Sequence, residues 1–243
     1  MKFNGINVRI SSSARIGSNV KIGDNTVIYD NVTIADDSIV ANDCIIGEPS
    51  SSYYSDSGYI NQPTTIGSGS LIRSHAIIYS GVEIGNDFET GHRITIRENT
   101  VIGNHCKIGT LSDIQGFLEM GNYCQLHSNV HLCQHSKLGN FVFVYPNVVL
   151  ANDKHPPSEK VVGPTIGDYS QIGVQSTIIG NVRIGEQCVI GAASVVTRNF
   201  DDNSLILGSP AQKTADVRDL KNAQNESLYP WQSRFTRGMP WAV

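Results

Sequence analysis

Apolar residues recur along the chain at every sixth position, a period that neither an amphipathic helix nor a simple alternating strand produces. The series runs Ile10, Ile16, Ile22, Ile28, Ile34, Val40 and Ile46, jumps, resumes at Ile66 and continues unbroken to Leu150, jumps again and runs from Ile166 to Val196. Of these 28 in-phase positions 27 are Ile, Val, Leu or Met, the exception being Thr90. Two residues before most markers sits a small or β-branched residue, such as Ala14, Thr26, Ser38, Ala76, Ser136 or Ser194. After many markers comes Gly followed by Asn or Asp, residues suited to left-handed turn geometry. Short parallel strands turned by about 120° every six residues satisfy this pattern. Three hexads then close a coil of 18 residues, and the series predicts an all-β prism of about nine coils, roughly 45 Å long.

Sorting the markers by 18 gives three faces: A (Ile66, Ile84, Ile102, Met120, Leu138), B (Ile72, Thr90, Ile108, Leu126, Val144) and C (Ile78, Ile96, Ile114, Leu132, Leu150). The corner after A is monotonous Gly-Asn or Gly-Asp. The corners bounding face C are irregular, with Gly91-His92-Arg93 and His127-Ser128-Asn129 on one side and Arg97-Glu98-Asn99 and Cys133-Gln134-His135 on the other. Both register jumps leave from the corner after C and predict extruded loops at 47–65 and 151–165, the natural place for specificity on a rigid scaffold. The second carries Asn152, Asp153 and His155. The outward positions on face C read Ile77, Thr95, Asp113, His131 and Val149. Asp113 and His131 therefore fall side by side on adjacent coils, where a carboxylate orients an imidazole and strengthens it as a general base.

Net charge of −4 and the absence of basic runs argue against a nucleic-acid partner. No apolar stretch approaches a membrane span and no export signal is recognisable, so the expectation is a cytoplasmic protein without a membrane partner. Five cysteines at irregular spacing predict no disulfide framework. Cys44, Cys106, Cys124 and Cys188 fall in the inward slot two residues before a marker, whereas Cys133 falls at a corner and is expected to expose its thiol.

The hexads resemble the left-handed parallel β-helix of the hexapeptide-repeat acyltransferases over nearly residues 8–212. Within that class TGHRITIREN (90–99), GTLSDIQG (109–116), LHSNVHLCQ (126–134) and VVLANDKHPPS (148–158) resemble the nucleotide-linked aminodeoxysugar N-acyltransferases. The segments GAASVVTRNF (191–200) and LGSPAQ (207–212) resemble the final coil that shapes an acyl-CoA site, with Gln212 in place of the usual Lys or Arg. The resemblance implies a homotrimer that uses acetyl-CoA, or another short acyl-CoA, to acylate the 3- or 4-amino group of a dTDP- or UDP-linked sugar, with no metal required. Catalysis is assigned to His131 with Asp113 and Gln134; the last stands where lipid A acyltransferases carry their catalytic histidine. Substrate contacts are assigned to His92, Arg97, Asn152, Asp153 and His155, and the pantetheine arm and phosphates of CoA to Gly173, Gly191, Ala192 and Arg198. The rival readings are an O-acetyltransferase, a γ-type zinc carbonic anhydrase using His127 and His131, and a non-catalytic scaffold. Beyond 212, residues 213–243 are expected to form a short helix capping the prism and an aromatic tail that packs on it or on a neighbouring subunit.

Overall fold

The computed structural model describes residues 4–242. Strands of two to five residues, and one of six, stack into three sheets. Face C carries ten strands, from Arg9–Ile10 to Val195–Val196; face A carries nine, from Arg15–Ile16 to Arg183–Ile184; face B carries eleven, from Lys21–Ile22 to Ala211–Asp216. Marker pairs with marker throughout, as in Ile78 with Ile96 and Ile114 with Leu132. The fold is the expected left-handed parallel β-helix, with ten coils instead of nine, because the coil continues past Val196. Phe200 bridges Ile184 and Ile206 pairs with Ile190, although neither lies in the six-residue phase.

The interior is a stack of marker side chains with almost no solvent access from Ile28 to Ile206. The inward slot two residues before each marker does more than save space. Buried hydroxyls there donate to a corner carbonyl of the next coil: Thr26 Oγ1 to Ala41 O at 3.0 Å, Ser170 Oγ to Gly185 O at 2.9 Å, Ser176 Oγ to Gly191 O at 2.9 Å. The thiols do the same, Cys106 Sγ reaching Gly121 O and Cys124 Sγ reaching Gly139 O, each at 3.0 Å. A thiol thus replaces a hydroxyl as donor to a carbonyl that would otherwise be unsatisfied.

The corners divide their labour differently from the expectation. Positive φ falls on neither the Gly nor the Asn but on the third corner residue, as at Asp87 (55°), His105 (57°) and Tyr123 (58°). The Gly is needed for closeness: a Cβ on Gly121 would lie 2.7 Å from the carbonyl carbon of Gly139 on the next coil. The Asn supplies a ladder, its Oδ1 accepting the backbone N–H of its counterpart one coil earlier, Asn104 N to Asn122 Oδ1 and Asn122 N to Asn140 Oδ1 both at 2.9 Å.

The expected C-terminal helix is absent among the described residues. Ala211–Asp216 turns back antiparallel on Ser204–Gly208, followed by a single 3-10 turn at Val217–Asp219. The apolar edge of the last coil is closed by pairing the chain with itself, which satisfies backbone groups that a capping helix would leave open. The sequence boundary at residue 212 therefore falls inside the last strand. The aromatic tail packs on the prism, along its flank. Trp231 is buried against Phe143 and Met239 and donates Nε1 to Tyr169 O at 2.9 Å, while Trp241 meets Phe141 at 5.1 Å between ring centroids.

Candidate active site

Face C is built as the register requires. Thr95 pairs with Asp113, Asp113 with His131 and His131 with Val149, so one acid and one imidazole stand between an outward Thr and an outward Val. His131 Nδ1 lies 3.3 Å from Asp113 Oδ2, both side chains being about 40% exposed. The Gln115 amide also donates to Asp113 Oδ2. The hydrogen bond from His131 holds the Asp113 carboxyl below the usual carboxylate range, aided by Gln115 and by the charge of Arg97, and this outweighs the opposing effect of burial. Asp113 is thus anionic at neutral pH and fixes the ring through Nδ1, which leaves the Nε2 lone pair for an incoming proton. Gln115 escaped the sequence reading; its signal was available, since it sits two residues from Asp113 at the same corner.

Arg97 stands one coil below Gln115. Its guanidinium chelates Glu98 at 2.8 and 3.1 Å and lies over the Tyr79 ring, 5.6 Å from the centroid. It is a fixed positive charge beside the pair. At the corner after C, Gln134 and Asn152 each fall two residues past a paired marker, Leu132 and Leu150, and so stack on adjacent coils. Face C and this corner therefore gather Arg97, Asp113, His131, Gln134 and Asn152.

The remaining assigned residues fall elsewhere. Asp153 accepts from Ser158 Oγ at 2.7 Å, Ser158 N at 2.8 Å and His155 N at 3.0 Å, contacts that lower its pKa, with the Ser158 hydroxyl contributing most. Asp153 thereby closes the 151–165 loop on itself and leaves His155 exposed at its tip. Gly163, where the loop returns, admits no Cβ, which would lie 2.4 Å from the carbonyl carbon of His135. His92 lies across face C, at the corner after B, lining a groove of about 340 Å³ with Arg73, Lys107 and His127. Gly173, Gly191 and Ala192 follow on that corner. A Cβ on Gly173 would lie 2.6 Å from Ile190 O, so coil stacking demands that glycine, whereas one on Gly191 would meet only the tip of the Leu207 side chain. Arg198 belongs to the opposite corner, hydrogen-bonded to Gln212 and 5.4 Å over the Phe200 ring. The four residues assigned to CoA thus straddle face C.

Cys133 corrects its expectation. It is 4% exposed, its sulfur lies 3.2 Å from Ser136 Oγ, and burial pushes its thiol up to about 11. The corner residue turns inward, where the Ser136 hydroxyl three residues on offers it a polar partner. His127, the other histidine of the zinc alternative, stacks on Tyr145 at 5.1 Å, while His131 is engaged by Asp113.

A family profile described as "Bacterial transferase hexapeptide (six repeats)" matches residues 13–48 and 163–198. The bifunctional protein GlmU of Psychrobacter sp. is 39% identical over 51 residues, 21% of this chain and 11% of that protein. Serine acetyltransferase 4 of Arabidopsis thaliana is 37% identical over 49 residues, 20% of this chain and 14% of that protein. The chain thus spans between a tenth and a seventh of the length of these curated relatives. Among solved structures, the UDP-N-acetylglucosamine O-acyltransferase (LpxA) of Moraxella catarrhalis superposes with a TM-score of 0.63 at 22% identity, covering 88% of this chain and 79% of that one. At that identity the likeness carries the fold alone, and the profile covers two stretches: the chain is a left-handed β-helix protein in which residues 13–48 and 163–198 match bacterial transferase hexapeptide repeats.

Proposed function

We propose that the protein is an acyl-CoA-dependent acyltransferase that acylates the amino group of a nucleotide-linked 3- or 4-amino deoxysugar. The observation that carries acyl transfer is the Asp113–His131 pair, displayed outward on face C between irregular corners and beside two extruded loops; the amine as acceptor rests on the resemblance of residues 90–99, 109–116, 126–134 and 148–158. A relative that is a serine acetyltransferase supports acyl transfer, and a structural neighbour that is a UDP-N-acetylglucosamine O-acyltransferase supports a nucleotide-sugar acceptor.

The acceptor nitrogen attacks the thioester carbonyl; the C–N bond forms and a tetrahedral oxyanion develops, stabilised by backbone N–H groups at a corner. His131 Nε2 takes the proton that the nitrogen loses, while Asp113 holds the ring and balances its charge. The C–S bond then breaks and CoA leaves as a thiolate, which is reprotonated. Arg97, Gln134 and Asn152 line the approach to the pair from the corner after C, Asp153 and His155 close it from the loop, and the pantetheine arm runs along the corner of Gly173, Gly191 and Ala192. His92 contacts the substrate from the other side, and Arg198 supplies a phosphate contact.

A hydroxyl acceptor is the second reading, and the pair itself favours it. A sugar amine is partly unprotonated near neutral pH and can attack unaided, whereas a hydroxyl requires the base that Asp113 and His131 form. Incubation with acetyl-CoA and a panel of dTDP- and UDP-linked amino sugars, following thiol release and the linkage in the product by mass spectrometry, separates the two. Release with one amino sugar and an amide product establishes the proposal. An ester product establishes the O-acyl reading, and silence across the panel refutes both.

A further inference from the structure

The outward ladder on face B reads Glu89, Lys107, Gln125, Phe143 and Gln171, changing from charged to aromatic along the prism. At its charged end is the 340 Å³ groove. Glu89 lies 3.0 Å from Lys107 and 3.6 Å from Arg73, so one carboxylate faces two cations and the groove keeps a positive excess, flanked by His92 and His127. At its aromatic end is a second cavity of about 250 Å³, formed only where the C-terminal tail crosses the face. Its walls are Phe143 and Tyr145 from the prism and Tyr229, Trp231 and Phe235 from the tail, with Gln171 and the Arg234 cation completing the lining. Arg234 is held there by two bonds to Leu228 O, at 2.9 and 3.1 Å.

The two cavities adjoin along face B and form the two ends of a trough only in the sense that their walls touch. Gln125 lies in the first and is the direct ladder partner of Phe143 in the second, and the His127 ring of the first stacks on the Tyr145 ring of the second. A site for a drug-sized ligand typically has roughly 300–1,000 Å³. The aromatic cavity is too small for such a ligand but suits one planar ring, and its walls offer ring faces while Gln171 offers both a donor and an acceptor to a base edge. The groove beside it offers the cations that a diphosphate needs. From it the corner His127-Ser128-Asn129 turns directly onto face C, where His131 follows.

We infer that this trough is a nucleoside-diphosphate site, with the base between Tyr145 and Phe235 and the diphosphate over Lys107 and Arg73. It rests on the acyltransferase reading only for what lies beyond the diphosphate. That chemistry has two sources, the nucleotide of the sugar substrate and the ADP moiety of CoA, and binding experiments separate them. Calorimetry with dTDP, UDP and CoA, each alone, is expected to show saturable binding of at least one. Tyr145→Ala, on the rigid prism, and Phe235→Ala, on the tail, should each weaken it about tenfold, roughly 1.4 kcal/mol. Lys107→Gln should weaken the diphosphate but leave the parent nucleoside unchanged. If the pyrimidine diphosphates bind in this way, the trough takes the sugar nucleotide; if only CoA does, it takes the cosubstrate. No saturable binding, or binding that neither Tyr145→Ala nor Phe235→Ala alters, overturns the inference. Binding that responds to both variants in a protein that never releases CoA thiol keeps the site and rejects the acyltransferase instead.

Discussion

His131 and Asp113 are worth isolating because neither does its work alone: the carboxylate fixes Nδ1, and Nε2 is then left as a base. His131→Ala is expected to lower kcat by about 10²–10⁴-fold, the usual contribution of a positioned general base, with the KM for acyl-CoA little changed. Asp113→Asn should fall short of that loss, and thiol-release kinetics that leave His131→Ala at the wild-type rate would remove the pair from the chemistry. The sign of the pH effect follows from the depressed Asp113 pKa. A carboxyl held low when folded stabilises the protein above its unfolded pKa, and that stabilisation is lost as the pH falls through the folded value. Wild type should therefore exceed Asp113→Asn in stability at neutral pH, by a small margin given solvent exposure, and the two should converge in acid, as denaturant titrations at several pH values would show. The cysteines make a second case. All five are buried; burial pushes Cys44 and Cys133 up to about 11 and also raises Cys124 and Cys188, while the hydrogen bond with Cys124 holds Cys106 below the usual thiol range, so it is burial that keeps each sulfur from a reagent. A chromogenic disulfide reagent should report no thiol until the chain is unfolded, and a fast-reacting thiol in the native protein would contradict the burial of Cys133.

At the scale of the hexad, each Gly-Asn corner after face A combines three requirements: closeness at the first residue, a side-chain acceptor at the second and positive φ at the third. Asn122→Ala removes the acceptor for the Asn104 N–H and should cost about 1 kcal/mol, a fall in Tm of roughly 2–4 °C for a chain of this size. Gly121→Ala should cost more, because the new Cβ must displace backbone of the next coil. Calorimetry of the two variants tests the order; equal losses would mean that the corner relaxes freely. The six-residue period carried the strands legibly, since a marker one place out of phase would point its side chain into solvent. It did not carry the left-handed residue, because Asp87, His105, Tyr123 and Phe141 share no side-chain chemistry. Their φ is imposed by closure of the coil, at a position where nearly any residue without a β-branch is accepted.

Over the whole molecule the tail is the element that most changes the surface. Rings of Tyr123, Phe141 and Tyr169 stack in a column along the corner after A at 5.0 and 4.8 Å, and Trp231 and Trp241 cover it. Truncation after Leu220 should leave a folded prism with exposed aromatics, seen as binding of a hydrophobic dye, a lower Tm and loss of nucleotide binding. If the protein trimerises as the hexapeptide resemblance implies, light scattering should give three times the monomer mass. The sequence alone determined the prism, its three faces, both loop exits and the adjacency of Asp113 to His131, because all of these are consequences of one integer period. The last coil, the antiparallel closing strand and the inward turn of Cys133 were decided by tertiary structure, since each answers to backbone groups and cavities at an end or an irregular corner where the period stops. So was the aromatic trough: Phe143 and Phe235 are 92 residues apart in sequence, and only the path of the tail across face B brings them to 5.6 Å. A period specifies neighbours one coil away; it contains nothing about a segment that leaves the coil and returns.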